Sequence, residues 1–174
     1  TAAEHQPVVE AAMRTRDIEL PEFVAPESVS DRRELDGAGS LKDAIVAALK
    51  PLKFRYQSKL SGYGTGVLSR RSRLHHEILV EYDWGPNSKE VFARLHIRGA
   101  GFAECTSLPI GGVDGKNPFV ASPEAVAAVA RNLAHSVAVM EEQWVPRVEA
   151  LMEPSPAWYK PNSPPQNPVY NYIW

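Results

Sequence analysis

The sequence has 174 residues, of which 44% are hydrophobic and 23% are charged, as in an ordinary globular chain with one domain. No apolar run reaches the ~18 residues that a transmembrane helix needs, so the composition argues against a membrane span. The single cysteine, Cys105, excludes an internal disulfide and a CxxC metal site, and it indicates a reducing compartment such as the cytoplasm, a virion or an organelle matrix.

The net charge of −2 is distributed unevenly along the chain. Residues 1–40 hold 4 basic and 9 acidic side chains, residues 41–98 hold 11 and 5, and residues 99–174 hold 4 and 7. A basic middle between acidic ends favours contact with a polyanion. The same distribution fits a basic surface that is covered by acidic segments of this chain or of a neighbour.

Residues 1–39 are predicted to form an extended N-terminal arm. Prolines, serines and glycines interrupt any helical or strand period in this stretch. Four apolar side chains would anchor an extended segment on another surface: Ile18, Leu20, Phe23 and Val24. The alternative interpretation is a flexible chain end.

From residue 40 onward the patterns predict a compact domain. Ser40 is a suitable N-cap for a short amphipathic helix over residues 41–50, which Pro51 ends. Alternating side chains then predict strands over residues 54–60 and 65–71, and the second of these could run into the next strand without a real break.

The most regular alternation spans residues 73–98 and predicts a long β-hairpin around a Gly-Pro-Asn-Ser turn. The predicted register pairs Val80 with Ala93, and on the polar side it pairs Glu77 with His96. The buried face of the first strand is predicted to comprise Leu74, His76, Ile78, Val80, Tyr82 and Trp84. The buried face of the second is predicted to comprise Val91, Ala93, Leu95 and Ile97.

A further strand is predicted over residues 102–108, and a long helix over residues 122–151 with a kink at Pro146. The apolar stripe of this helix would pack on the apolar face of the hairpin. The predicted fold is therefore α+β: an antiparallel meander of four or five strands, packed by a short N-terminal helix and a long C-terminal helix within residues 40–152.

Residues 153–174 are predicted to form a C-terminal arm rich in proline and aromatic residues, because proline excludes a helix or a central strand. An extended, stiff segment with aromatic anchors loses little entropy on docking. The predicted contacts with a protein partner are Trp158, Tyr159, Tyr170, Tyr172 and Trp174. The alternative is an arm that covers the chain's own core.

A basic cluster gives a second prediction, contact with a polyanion through the face formed by residues 55–98. Tyr56 and Tyr63 would stack on the bases of a nucleic acid. The cluster consists of Arg55, Lys59, Arg70, Arg71, Arg73, Arg94 and Arg98. The alternative is a basic surface that meets acidic protein segments.

No motif predicts a catalytic, cofactor or metal site. His75 and His96 would share the polar face of the hairpin with Glu77 and Glu81, where a metal or an acid–base pair is conceivable. The charges on this face compensate one another, which favours a sheet that faces solvent or a partner. Cys105 has no predicted partner and is expected to be a small packing residue.

Together these features predict a non-enzymatic structural or assembly subunit that docks into a larger protein complex through its extended arms. A viral particle and an organellar complex are both suitable settings, with other protein subunits, including copies of this chain, as partners. Two alternatives stay open. One is an RNA- or DNA-binding subunit that uses the basic face, and the other is a ligand-binding protein or enzyme with a pocket between the sheet and the long helix.

Overall fold

The structure is a computed structural model that describes residues 15, 17–23, 37–62, 64–84, 91–99, 102–108, 110 and 123–154. The helices in these ranges are α1 (Gly37–Leu49), α2 (Pro123–Gln143) and α3 (Val145–Glu149), and a 3₁₀ turn (Lys50–Leu52) follows α1. The strands are β1 (Arg55–Tyr56), β2 (Thr65–Arg71), β3 (Glu77–Asp83), β4 (Phe92–Gly99) and β5 (Phe102–Leu108).

The five strands form one antiparallel sheet in which each strand pairs with its neighbours in sequence, in the order β1-β2-β3-β4-β5. This meander, with a short N-terminal helix and a longer C-terminal one, confirms the predicted α+β fold. The strands predicted over residues 65–71 and 102–108 are β2 and β5. Within the described ranges, no helix is long and apolar enough to cross a membrane.

The three helices pack on one face of the sheet, called the helix face, where apolar side chains from both layers form a single buried cluster. Ile78, Val80 and Leu95 from the middle strands are 0% exposed, as are Leu133 and Trp144 from the helical layer. The alternation of side chains with a period of two places the strand residues on this face, as the sequence pattern predicts.

The predicted register of the hairpin formed by β3 and β4 is wrong by two residues, because Val80 faces Leu95 rather than Ala93. A shift of two keeps every side chain on its predicted face, so the alternation is compatible with both registers. The last pair is Asp83 with Phe92, which leaves a connection longer than the four-residue turn predicted.

The strands β2 and β3 are separated by a turn at residues 72–75, so the first strand of the hairpin begins later than predicted. The amide of His75 donates to the Ser72 carbonyl at 3.1 Å, and His75 has a left-handed φ of 63°. The Ser72 hydroxyl also accepts a hydrogen bond from the amide of Leu74 at 3.2 Å. Leu74, predicted to be buried, is consequently 38% exposed.

The strand predicted over residues 54–60 is shortened to Arg55–Tyr56. The Gln57 carbonyl accepts hydrogen bonds from the Leu60 amide at 3.0 Å and from the Ser61 hydroxyl at 2.8 Å. These bonds close a turn directly after β1, because local side-chain and backbone bonds compete with the strand ladder.

Both helix predictions need correction at their ends. Helix α1 begins at Gly37, so Ser40 lies inside the helix and is not its N-cap. Serine is tolerated there because its helix propensity is only moderately below that of alanine. The helix predicted over residues 122–151 is divided at Trp144 into α2 and α3. Pro146 lies in the first turn of α3, where its missing amide hydrogen removes no helical hydrogen bond.

The described part of the predicted N-terminal arm lies on the chain's own helices rather than on another surface. Ile18 is 7% exposed and belongs to the core cluster, and Leu20 and Phe23 pack against that cluster. Asp17 forms an ion pair with Arg147 through two hydrogen bonds of 3.0 and 2.7 Å. Val24 and most of both predicted arms lie outside the described residues.

Candidate interaction surface

The candidate site lies on the face of the sheet opposite to the helices, called the polar face. Directly opposed residues of paired strands share a face, so the register defines its members. From β1 and β2 they are Arg55, Thr65, Val67, Ser69 and Arg71. From β3 and β4 they are Glu77, Leu79, Glu81, Asp83, Phe92, Arg94, His96 and Arg98, and from β5 they are Ala103, Cys105 and Ser107.

One ion pair and one histidine–carboxylate contact connect β3 and β4 on the polar face. Arg98 faces Glu77 and donates to its carboxylate at 2.5 Å, which replaces the predicted contact of Glu77 with His96. His96 lies opposite Leu79. Its Nε2 is 3.0 Å from Oε2 of Glu81, which lies two residues after Leu79 on β3. His96 and Glu81 are 4% and 3% exposed. The middle of the polar face is therefore buried, and its polar side chains contact one another.

Three side chains at one end of the polar face are not part of these pairs. Arg94 lies opposite Glu81, but the Glu81 carboxylate already binds His96. Within the described part of the chain, the side chains of Arg94 and Asp83 make no hydrogen bond or ion pair. Phe92 lies opposite Asp83 and is 58% exposed. Glu81, Asp83, Phe92 and Arg94 line an open hollow of about 90 Å³.

Cys105 lies opposite His96, so Glu81, His96 and Cys105 occupy three adjacent strands of the polar face. These are the residue types of a nucleophilic thiol, its base and an orienting acid. Burial, and secondarily the charge of Glu104, raise the pKa of the Cys105 thiol. A raised pKa lowers the thiolate fraction and with it the reactivity of the thiol. This set of three side chains is therefore better suited to packing than to nucleophilic chemistry.

The raised pKa of Cys105 gives a testable prediction. We expect alkylation of the folded chain by iodoacetamide to be several-fold slower at neutral pH than alkylation of the unfolded chain, because only the thiolate reacts. Folding raises this pKa, so the thiol ionises at a lower pH in the unfolded chain than in the folded chain. The folded state is therefore destabilised as the pH rises above the ordinary thiol pKa. Mass spectrometry of the folded and denaturant-unfolded chain over a pH series measures both rates, with Cys105→Ser as the blank. The midpoint is the pH at which the alkylation rate reaches half of its maximum. A midpoint for the folded chain at or below that of the unfolded chain would contradict the prediction.

His76 connects β3 to the end of the helical layer and is 0% exposed. Its Nδ1 is 2.7 Å from Oε1 of Glu149, and its Nε2 is 2.9 Å from the carbonyl oxygen of Glu153. A carbonyl oxygen only accepts, so Nε2 is the donor in the bond to Glu153. The contact fixes the position at which the chain leaves α3 toward residues 155–174.

The basic residues predicted to contact a polyanion are divided by the sheet. Arg70 lies on the helix face, where its Nε donates to Oε1 of Glu141 at 2.6 Å. Burial raises the pKa of Glu141, and Arg70 opposes this effect. Lys59 and Arg73 are exposed in the turns that follow β1 and β2. The residues that share the polar face are Arg55, Arg71, Arg94 and Arg98.

Tyr56, one of the two tyrosines predicted to stack on bases, does not accompany these arginines. Tyr56 lies on the helix face, with Nζ of Lys42 4.6 Å from the centroid of its ring. Tyr63 lies outside the described residues. Three carboxylates, those of Glu77, Glu81 and Asp83, share the polar face with the arginines. The charge there is mixed, and a partner carrying both signs matches it better than a polyanion does.

The pocket predicted between the sheet and the long helix falls within the buried core cluster. Leu133, Val137 and Met140 of α2 are each 0% exposed. Ser136 Oγ and Trp144 Nε1 are buried there and have no hydrogen-bond partner among the described residues. The hollow described above lies on the opposite face of the sheet.

Phe92 is not singled out by the sequence pattern, although one signal is present. It occupies a polar-face position between Glu90 and Arg94 in an alternating strand, where a large apolar side chain is unusual. The predicted contact residues of the C-terminal arm lie outside the described residues. They are Trp158, Tyr159, Tyr170, Tyr172 and Trp174.

Among the described residues, no three His, Cys, Asp or Glu side chains are arranged to hold a metal ion. No protein-family model matches the chain, and no similar curated protein or solved structure was found. Fold and site geometry are therefore the basis for the function proposed below.

Proposed function

We propose that the chain is a non-enzymatic structural subunit that docks into a larger protein assembly. The observation that carries the proposal is that Phe92, on the face of the sheet opposite to the helices, is 58% exposed. An exposed aromatic ring beside an arginine and a hollow is typical of a contact that dominates binding energy. Asp83 and Arg94 beside it carry charges of both signs, which favours a protein surface as the partner.

The C-terminal arm is the second element of the proposal. Residues 155–174 contain five prolines and the aromatic residues predicted as contacts, a composition suited to docking with little loss of entropy. The partners would be other subunits or copies of this chain in a viral particle or an organellar complex. Cys105, a free cysteine, is compatible with a reducing compartment.

Removal of residues 155–174 tests the role of the arm. We expect the truncated chain to keep its melting temperature, because the deletion leaves the Glu153 carbonyl that contacts His76 in place. We also expect it to be lost from the assembly, because the aromatic anchors are removed. Circular dichroism measures the first quantity, and light scattering of the isolated particle measures the second.

A full-length variant with all five arm aromatics replaced by alanine serves as the matched control, because it keeps the length of the arm. Loss of assembly in both variants would assign the contact to the aromatic side chains. Normal assembly of the truncated chain would show that the arm is not the docking element.

A further inference from the structure

One end of the polar face carries a self-complementary set of side chains, called the Phe92 patch and consisting of Asp83, Phe92 and Arg94. Asp83 and Phe92 are directly opposed, and Arg94 lies two residues further along β4, on the diagonal from Asp83. Diagonal neighbours on paired strands are about 7–8 Å apart. The patch thus presents one acid, one base and an exposed aromatic ring within the area of a few side chains.

The two charges are available because the neighbouring residues are already paired. The Glu81 carboxylate, which lies opposite Arg94, binds His96, and Arg98 binds Glu77. Asp83 is exposed at the end of β3. Within the described residues, Arg94 and Asp83 therefore have no partner of opposite charge within ion-pair distance.

Two-fold symmetry makes this patch complementary to itself. In a face-to-face dimer the two-fold axis lies in the plane between the two polar faces. When this axis crosses the diagonal from Asp83 to Arg94 at its midpoint and at a right angle, each Asp83 lies over the partner's Arg94. Each Arg94 then lies over the partner's Asp83. The same rotation places Phe92 of one copy close to Phe92 of the other copy, so the two rings stack. Both unpaired charges and the exposed ring are satisfied at once.

We propose that the Phe92 patch is the contact surface for a second copy of this chain. The inference rests on the proposed function and names one of the partners of the assembly. The patch is smaller than the roughly 1,200–2,000 Å² of a standard stable interface, so the contact alone supports a weak, concentration-dependent dimer. Its two ion pairs set the orientation of the copies more than the affinity.

Charge reversal at the two positions tests the proposal by sedimentation velocity over a wide concentration range. We expect the full chain to shift from 19.2 kDa toward twice that mass as its concentration rises. Asp83→Arg and Arg94→Asp should each weaken this association by about a hundredfold, because like charges then face each other twice per dimer. An equimolar mixture of the two variants should recover it, since every contact in the mixed dimer again joins opposite charges.

Controls separate the contact from a loss of folding. Arg55→Asp changes an exposed charge at the other edge of the polar face, and Leu74→Ala removes another exposed apolar side chain. Both should associate normally. Phe92→Ala should weaken association without any change in charge, and melting curves of all variants should show that they remain folded.

A full chain that stays at 19.2 kDa at every concentration, or a mixture that does not recover association, would overturn the proposal. If the particle isolated from cells is nevertheless large and contains other proteins, only the homotypic contact fails and the assembly function stands. If the chain is a monomer both after purification and in the particle isolated from cells, the homotypic contact and the assembly function are both wrong.

Discussion

Replacing Trp144 with alanine should lower the free energy of unfolding by about 3–5 kcal/mol. Trp144 is 0% exposed at the junction of α2 and α3, and it belongs to the cluster that joins the helices to the sheet. Its loss would leave a large cavity, and rigid surroundings relax only partly around such a cavity. Small domains have a total stability of about 5–15 kcal/mol, so the variant should be close to unfolding at physiological temperature.

Trp144→Phe is the matched control, because it retains most of the buried ring but removes the indole N–H. In the part of the chain that the structure describes, Trp144 Nε1 has no hydrogen-bond partner, so its removal leaves no acceptor there unsatisfied. We expect the phenylalanine variant to lose much less stability than the alanine variant. Urea unfolding measures both, and equal losses would show that the size of the side chain is not what stabilises this junction.

A second large effect is expected at Gly66, which faces Tyr82 across β2 and β3 on the helix face. A Cβ atom at this position would lie 2.1 Å from Cζ of the Tyr82 ring and 2.2 Å from its hydroxyl oxygen. Tyr82 is 3% exposed, so its ring has little room to move. We expect Gly66→Ala to destabilise the chain by about 1–3 kcal/mol through overpacking, as measured by urea unfolding.

A double-mutant cycle isolates this contact. In a Tyr82→Ala background the ring is absent, and Gly66→Ala should then be neutral or stabilising, because alanine restricts the unfolded chain. Gly62 serves as a second control, since a Cβ there meets nothing within 4 Å. Equal costs of Gly66→Ala with and without the tyrosine ring would mean that the close approach is not the cause.

The fold class and the two faces of the sheet are predictable from the sequence because alternation is a local property. Ile78, Val80 and Leu95 fall on the helix face for that reason. The register is not predictable in this way, because a shift of two residues preserves both faces. Likewise, a serine hydroxyl that bonds nearby amides places the turn at residues 72–75, and no periodicity contains that information.

The candidate site depends on the register and is therefore less predictable than the fold. The predicted register pairs Glu77 with His96, whereas the observed one pairs Glu77 with Arg98. Only the observed register shows that, on β3 and β4, the charges of Asp83 and Arg94 have no ion-pair partner among the described residues. The predicted contacts of the C-terminal arm lie outside the described residues and stay predictions.

The mass of the native particle is the most direct test of the proposed assembly function. The full chain would be isolated from the cells that make it, sized by light scattering, and its partners identified by mass spectrometry. The proposal predicts an ordered particle well above 19.2 kDa that contains further subunits, copies of this chain among them. A stable monomer of 19.2 kDa would contradict the proposal and would direct attention to a ligand at the hollow beside Phe92.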